Sequence, residues 1–235
     1  MTKRVGWFIA SAVFIVMLIL TLLFTDVQLV AFNRGYYDRQ YDKYQITEAI
    51  GISKEDLNTS TDNLLKYMDG KRDNLDFTTT IKGSQQEFFS ERDKLHMIDV
   101  KNLFVKGKLI RNIAFLYCVV FIALVCFRGR HPLKKFSKLA VYAFIAGIIP
   151  IILLAILMNI DFYKYFTIFH EIFFNNDLWQ LEPAKDRLIN MFPEAFFSDT
   201  AFRIVFYYIG ELLLLLVGGI VGIRSKRRNH SFKLR

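Results

Sequence analysis

Cysteine is nearly absent from this chain. Cys118 and Cys126 are the only two, and both fall inside one apolar run. A disulfide outside that run is therefore excluded, and a cysteine-based metal site is argued against. The two read as small buried apolar residues. Acidic side chains are missing from three stretches: the first four residues, 128–138 and 224–235. Catalytic signatures are missing too. There is no Gly-x-Ser-x-Gly elbow for a serine hydrolase and no Gly-rich loop to cradle a phosphate. No His-x-x-His or His-Glu-x-x-His spacing supplies the ligands that zinc requires.

What the chain has in abundance is apolar surface. Of its 235 residues 53% are hydrophobic and 24 are Phe, too apolar for an ordinary soluble domain of this length. The apolar residues gather in blocks at 5–24, 109–127, 139–160 and 204–223. Each supplies roughly twenty residues, which at about 1.5 Å rise apiece cross a hydrocarbon core ~30 Å thick. A backbone in lipid must satisfy its own hydrogen bonds, so each block is expected to be a helix. The first block follows a basic start, Lys3 and Arg4, as a signal peptide would. Its apolar run is too long for one, and Leu22-Leu23-Phe24-Thr25-Asp26 has no small-x-small cleavage pattern, so an uncleaved anchor is expected.

The acid-free stretches set the orientation. They hold Lys3 and Arg4; Arg128, Arg130, Lys134, Lys135 and Lys138; and Arg224, Lys226, Arg227, Arg228, Lys233 and Arg235. The positive-inside rule makes all three cytoplasmic, with both termini inside. The formal charge of +9 is then mostly a topology signal, and nothing else in the chain supports nucleic-acid binding. The expected division is a cytoplasmic start and first span at 1–26, an extracellular segment at 27–108 and a second span at 109–127. A basic cytoplasmic loop follows at 128–138, a third span at 139–160, a second extracellular segment at 161–202, a fourth span at 203–223 and a basic tail at 224–235. The fold class expected is an all-α integral membrane protein, four transmembrane helices with an extracellular, mainly helical cap.

The first extracellular segment carries signals of folded structure. Residues 46–52 predict a short helix stopped at Gly51, and Ser53 reads as the N-cap of another. Leu57, Leu64, Leu65 and Met68 fall on one helical face, and Gly70 ends that stretch. Residues 77–81 read as a short strand or extended linker, with Gly83 as a break. Ser90 and Asp93 make a capping box that starts the helix carrying His96. On it His96, Asp99, Leu103 and Lys106 share a face. Gly107 is the expected break that folds this helix down along the membrane surface; running straight, it would hold His96 ~20 Å above Leu109. In the second segment the run from Phe162 to Phe166 is an aromatic interfacial belt, continued by Phe169, Phe173, Phe174, Trp179, Phe192, Phe196 and Phe197. Each ring is either an anchor of a helix end or part of an apolar wall for lipid.

Only two histidines lie outside the basic flanks, His96 and His170, and the topology puts them on one side of the membrane. Histidine titrates closest to neutral, so such a pair points to proton transfer. Both lie outside the spans, which argues against haem ligation. Asp99, three residues after His96, is placed to accept its second ring N–H. Asn175-Asn176-Asp177 reads as a turn that caps a helix or donates to an oxyanion. Glu211 lies inside the fourth span, where an ionisable group is either functional or a protonated carboxyl bonded to a neighbouring helix. Arg111 and Arg203 stay open between site and packing.

The run His96-Met97-Ile98-Asp99-Val100-Lys101-Asn102-Leu103-Phe104, with Phe169-His170-Glu171-Ile172-Phe173-Phe174 and Trp179, resembles the lipoprotein intramolecular transacylases of Gram-positive bacteria. Asp186-Arg187-Leu188-Ile189-Asn190-Met191-Phe192-Pro193-Glu194-Ala195-Phe196-Phe197 fits the same pattern, so the resemblance covers nearly the whole chain. It implies a multi-pass enzyme of the bacterial cell membrane acting on diacylglyceryl-modified lipoproteins among membrane lipids. The sn-2 acyl chain would pass to the α-amino group of the lipoprotein's own N-terminal cysteine, giving the lyso-form. His96 and His170 would be the catalytic pair. The residues themselves add Asp99, Phe169, Phe173, Asn175 and Trp179 as expected supporting or substrate-binding groups, with no metal, cofactor or nucleic acid expected. Two competing readings are a non-enzymatic membrane protein whose cap binds lipid or a partner protein, and a phospholipid acyl hydrolase or transferase.

Overall fold

The four apolar blocks become the centres of four long helices in the computed structural model, which describes residues 2–128 and 131–231. Arg130, Lys233 and Arg235 of the basic segments lie outside the described residues, as do the side chains of Lys3, Lys226, Arg227 and Arg228. In chain order the elements are α1 (Thr2–Ala31), α2 (Arg34–Lys43), α3 (Ile46–Ile50), α4 (Lys54–Met68), β1 (Thr78–Ile81) and β2 (Ser84–Glu87). There follow α5 (Glu91–Arg128), α6 (Pro132–Ile160), α7 (Phe162–Phe173), α8 (Arg187–Met191) and α9 (Glu194–Ser231). Helices α1, α5, α6 and α9 are each long and apolar enough to cross a membrane. By contacts the chain divides into two units.

The spanning unit takes in the chain up to Val27, Leu109–Ile156 and the chain from Arg203 onward. Its core is a cluster of Phe14, Cys118, Phe121, Val125 and Leu139, with Phe14 stacked on Phe121 at 4.5 Å between centroids. Lipid tails are as apolar as leucine, so helices associate here by close fit rather than by escape from water. Glycine supplies that fit: Gly219 and Gly222 of α9 lie against Ser137 of α6, and Gly147 of α6 lies against Tyr208 and Leu212 of α9. Cys118 is buried as expected. Cys126 is not: it is exposed like its neighbour Phe127, since each step along α5 turns about 100° and carries it off the face of the packed Val125.

The second unit comprises Gln28–Lys108 and Leu157–Phe202. Helix α3 ends where expected, at Gly51 in the left-handed conformation (φ 77°), and Ser53 caps α4 by accepting the N–H of Asp56 at 3.0 Å. Leu57, Leu64, Leu65 and Met68 are the buried face of α4. The strand expected near residue 78 is β1, and it pairs with β2 in an antiparallel hairpin turned at Lys82 and Gly83, both at positive φ. The partner strand is not legible in the sequence, because Ser84-Gln85-Gln86-Glu87 carries no β-branched or aromatic residue. Two further expectations are corrected. Helix α5 is continuous from Glu91 to Arg128, so the break expected at Gly107 is not made. Phe192 and Phe196 are neither anchors nor a lipid wall; they are buried against Tyr37 and Tyr41 of α2 as the unit's aromatic core. Phe197 is half-buried against the same core.

Candidate active site

Helix α5 opens with a closed capping box. Asp93 N–H donates to Ser90 Oγ at 3.0 Å and Ser90 N–H to Asp93 Oδ2 at 3.1 Å, which fixes the first turn that leads to His96. The same carboxylate, fully buried, accepts the N–H of Arg187 at 3.0 Å and ties the start of α8 to α5. Ser90 Oγ in turn donates to Asp186 at 2.7 Å. His170 comes from the last turn of α7, whose N-cap Asp161 accepts the N–H of Lys164 at 3.0 Å.

These two helices bring the histidines together. Their ring centroids are 6.1 Å apart with the planes inclined by 34°, and each residue is only 6–7% exposed. Aromatic side chains fill the space around them. Buried Phe174 sits edge-on to His96 at 5.3 Å and 5.5 Å from His170. Phe166, Phe169 and Trp179 approach His170 at 4.3, 5.5 and 4.9 Å. Phe169 packs on Phe173 at 4.8 Å, and both remain largely exposed.

The two rings differ in their hydrogen bonding. His170 Nδ1 lies 2.7 Å from the carbonyl oxygen of Phe166. A carbonyl can only accept, so Nδ1 carries the proton and the neutral ring keeps its lone pair on Nε2. His96 Nδ1 is buried with no hydrogen-bond partner. Burial pushes the His96 pKa down to about 4, helped by the neighbouring His170 and Arg92 and opposed by Asp99. Burial also lowers His170, against the pull of the Phe166 carbonyl, which favours the cation.

The expected bond from His96 to Asp99 is not made. Asp99 Oδ2 instead accepts the side-chain amide of Asn176 at 2.9 Å. Asn175 is exposed, and it is its neighbour Asn176 that ties the turn to α5. Phe174, Phe166 and Arg92 are the contributors the sequence did not single out for the site. Phe174 was legible in principle, since it follows His170 by one helical turn; the tie between Asn176 and Asp99 was not, because 77 positions separate them.

The other polar groups raised from the sequence belong to the spanning unit. Glu211 is half-buried, and its Oε2, like Oδ2 of the buried Asp26, has no hydrogen-bond partner, so a simple bond to a neighbouring helix does not explain that oxygen. Arg203 donates to the Tyr207 hydroxyl at 2.7 Å and Arg111 to Asn112 at 2.8 Å. Among the described residues no three His, Cys, Asp or Glu side chains are grouped to hold a metal ion.

A family model described as lipoprotein intramolecular transacylase Lit matches residues 12–197. An uncharacterised protein of Aquifex aeolicus (strain VF5) is 24% identical over 212 residues, covering 87% of this chain and 93% of that protein. Among solved structures, the membrane-integral lipoprotein intramolecular transacylase Lit of Bacillus cereus superposes with a TM-score of 0.73 at 24% identity, over 94% of this chain and 97% of that one. A histidine-to-alanine variant of the same protein gives 0.73 at 23% identity, over 97% and 98%.

Proposed function

The chain belongs to the lipoprotein intramolecular transacylase family and is a membrane-integral acyltransferase of lipoprotein biosynthesis; on that premise we propose the following reaction and site. The substrate is a lipoprotein bearing a diacylglyceryl group on its N-terminal cysteine. Its α-amine attacks the sn-2 ester carbonyl of the same residue. The new bond is carbon to nitrogen, the bond broken is carbon to glyceryl oxygen, and the product is the N-acylated lyso-form.

His170 is the base. Its Nδ1–H is committed to the Phe166 carbonyl, so Nε2 is the lone pair available to the amine proton. The imidazolium then returns a proton to the departing glyceryl oxygen. His96, kept neutral by burial, offers a ring N–H to the ester oxygen on which negative charge gathers, as a depressed pKa suits a neutral imidazole to do. No acyl-enzyme is needed because nucleophile and ester belong to one molecule. Holding them in contact is worth effective molarities of ~10⁵ M or more. Asp99 and Trp179 act as supports, Phe169 and Phe173 as contacts for the lipid arms, and Asn175 as an exposed donor at the rim. The basic segments, read by the positive-inside rule, support a topology with both termini in the cytoplasm and His96 and His170 on the outer side.

The observation that supports this reading is the meeting of two buried histidines, one with its tautomer fixed. His96→Ala and His170→Ala test it, with mass spectrometry of a lipoprotein's N-terminal peptide as the assay. Loss of ~10²-fold or more in each is expected from general acid–base catalysis. Full lyso-form product from either variant would refute the assignment. Turnover of purified phospholipid with no lipoprotein present would favour a phospholipid acyl hydrolase instead.

A further inference from the structure

Asp99 lies one turn after His96 on α5, the place where a carboxylate would ordinarily orient an imidazole, yet it bonds elsewhere. Its Oδ2 accepts Asn176 Nδ2 at 2.9 Å. Asn176 is then used twice more. Its Oδ1 accepts the N–H of Leu178 at 3.0 Å, and its backbone oxygen accepts Trp179 Nε1 at 3.0 Å. That second bond holds the indole 4.9 Å from the His170 ring. Arg92, one turn before His96, reaches the same loop and donates to the backbone oxygen of Asp177. Two side chains that bracket His96 on α5 thus fasten the loop that directly follows the His170 helix.

We propose that Asp99 and Asn176 form a latch that sets the spacing of the two histidines and holds Trp179 against His170. They are positioning residues: Asp99 makes no hydrogen bond to His96, on which its charge acts only through space, and it holds the loop through Asn176. The proposal rests on the reading of His96 and His170 as the catalytic pair. It also gives a reason for the unpartnered Nδ1 of His96: the nearby carboxylate is already engaged. What the latch requires is one acceptor facing one donor, in either order. A negative charge at position 99 is not itself required.

The test exchanges donor and acceptor. Asp99→Ala and Asn176→Asp each break the bond, the second by facing two carboxylates, and each is expected to lower kcat by ~10- to 10²-fold with less change in KM. Asp99→Asn keeps an acceptor for Asn176 and is expected to stay within a few-fold of the parent. The double variant D99N/N176D restores the pair with its roles reversed and is expected to recover most of the activity lost in N176D. A second readout does not depend on catalysis. In a Trp7→Phe background Trp179 is the only indole, and its emission is expected to shift to the red in D99A and N176D and to return in the double variant. If D99N is as impaired as D99A, or the double variant recovers neither activity nor emission, the latch is wrong. If emission follows the latch while His96→Ala and His170→Ala keep full activity, it is the catalytic reading that fails.

Discussion

His96 and His170 face each other at 6.1 Å in unlike surroundings: one imidazole has a hydrogen bond that fixes its proton, and the other has a buried nitrogen with no partner. Both are held below the ordinary histidine range by burial, His96 to about 4. A lowered pKa keeps the neutral, proton-accepting ring dominant to lower pH. The expected rate profile is therefore free of histidine titration at pH 7, with an acid limb that appears only below ~6.5. Single-turnover rates on a detergent-solubilised lipoprotein across pH 5–8 measure it, with the amine's own ionisation corrected from the substrate. An acid limb centred above pH 7 in the corrected profile would contradict the site described.

The same shift governs stability. In the unfolded chain His96 takes up a proton near its ordinary value of 6.5, whereas in the folded protein it resists until about 4. The unfolded state therefore binds more protons in that window, and stability falls as pH drops through it. A difference of this size is on the order of 3 kcal/mol. His170, also lowered, adds a slope of the same sign. Thermal unfolding in detergent at pH 7 and pH 5 is expected to show roughly half of that loss, the rest coming only as pH falls to about 4, and His96→Gln is expected to remove much of it. An equal loss in H96Q would assign the slope to other groups.

The site was legible where local chemistry decides and illegible where tertiary contact does. The Ser90–Asp93 box, the Gly51 stop and the four long helices follow from short-range rules and apolar run length. That His96 and His170 meet does not: 74 positions separate them in sequence, and periodicity says nothing about which helix faces which. Gly107 illustrates the opposite error. Glycine lowers helix propensity by only ~1 kcal/mol, and a helix of 38 residues continuing into an apolar span outweighs it. Phe192 and Phe196 look like an interfacial belt in the sequence, where aromatic density in a membrane protein suggests the headgroup layer. Their actual partners, three tyrosines of a helix more than 150 positions earlier, are visible only in the fold.

Asp93 is the joint between the helix that carries His96 and the segment that opens α8. Its fully buried carboxylate accepts from Ser90 N–H and Arg187 N–H, so Asp93→Ala leaves partly buried donors without acceptors. Each orphaned group costs about 1–3 kcal/mol. The expected result is a fall in Tm of at least ~5 °C in detergent, with Asp93→Asn, which keeps one acceptor oxygen, falling less. Equal stability in D93A and the parent would show that the network contributes nothing.

The glycines of α9 allow a sharper comparison, since three near neighbours on one helix face different surroundings. A Cβ at Gly219 would lie 2.7 Å from the backbone oxygen of Ser137, which cannot move without shifting α6. At Gly222 it would lie 2.2 Å from Ser137 Oγ, a side-chain atom that rotation or removal can take away. At Gly218 nothing lies within 4 Å. Gly219→Ala is therefore expected to destabilise by ~1–3 kcal/mol, the usual cost of overpacking, whatever occupies position 137. Gly222→Ala is expected to destabilise alone and to be largely rescued by Ser137→Ala, which deletes the offending oxygen. Gly218→Ala is expected to be neutral or to stabilise by up to ~1 kcal/mol, because alanine suits a helix better than glycine. Thermal unfolding of the three single variants and the two double variants with S137A reads this out. If S137A rescues G219A as well as G222A, α6 and α9 are held apart by the serine side chain and not by the contact of α9 with the α6 backbone.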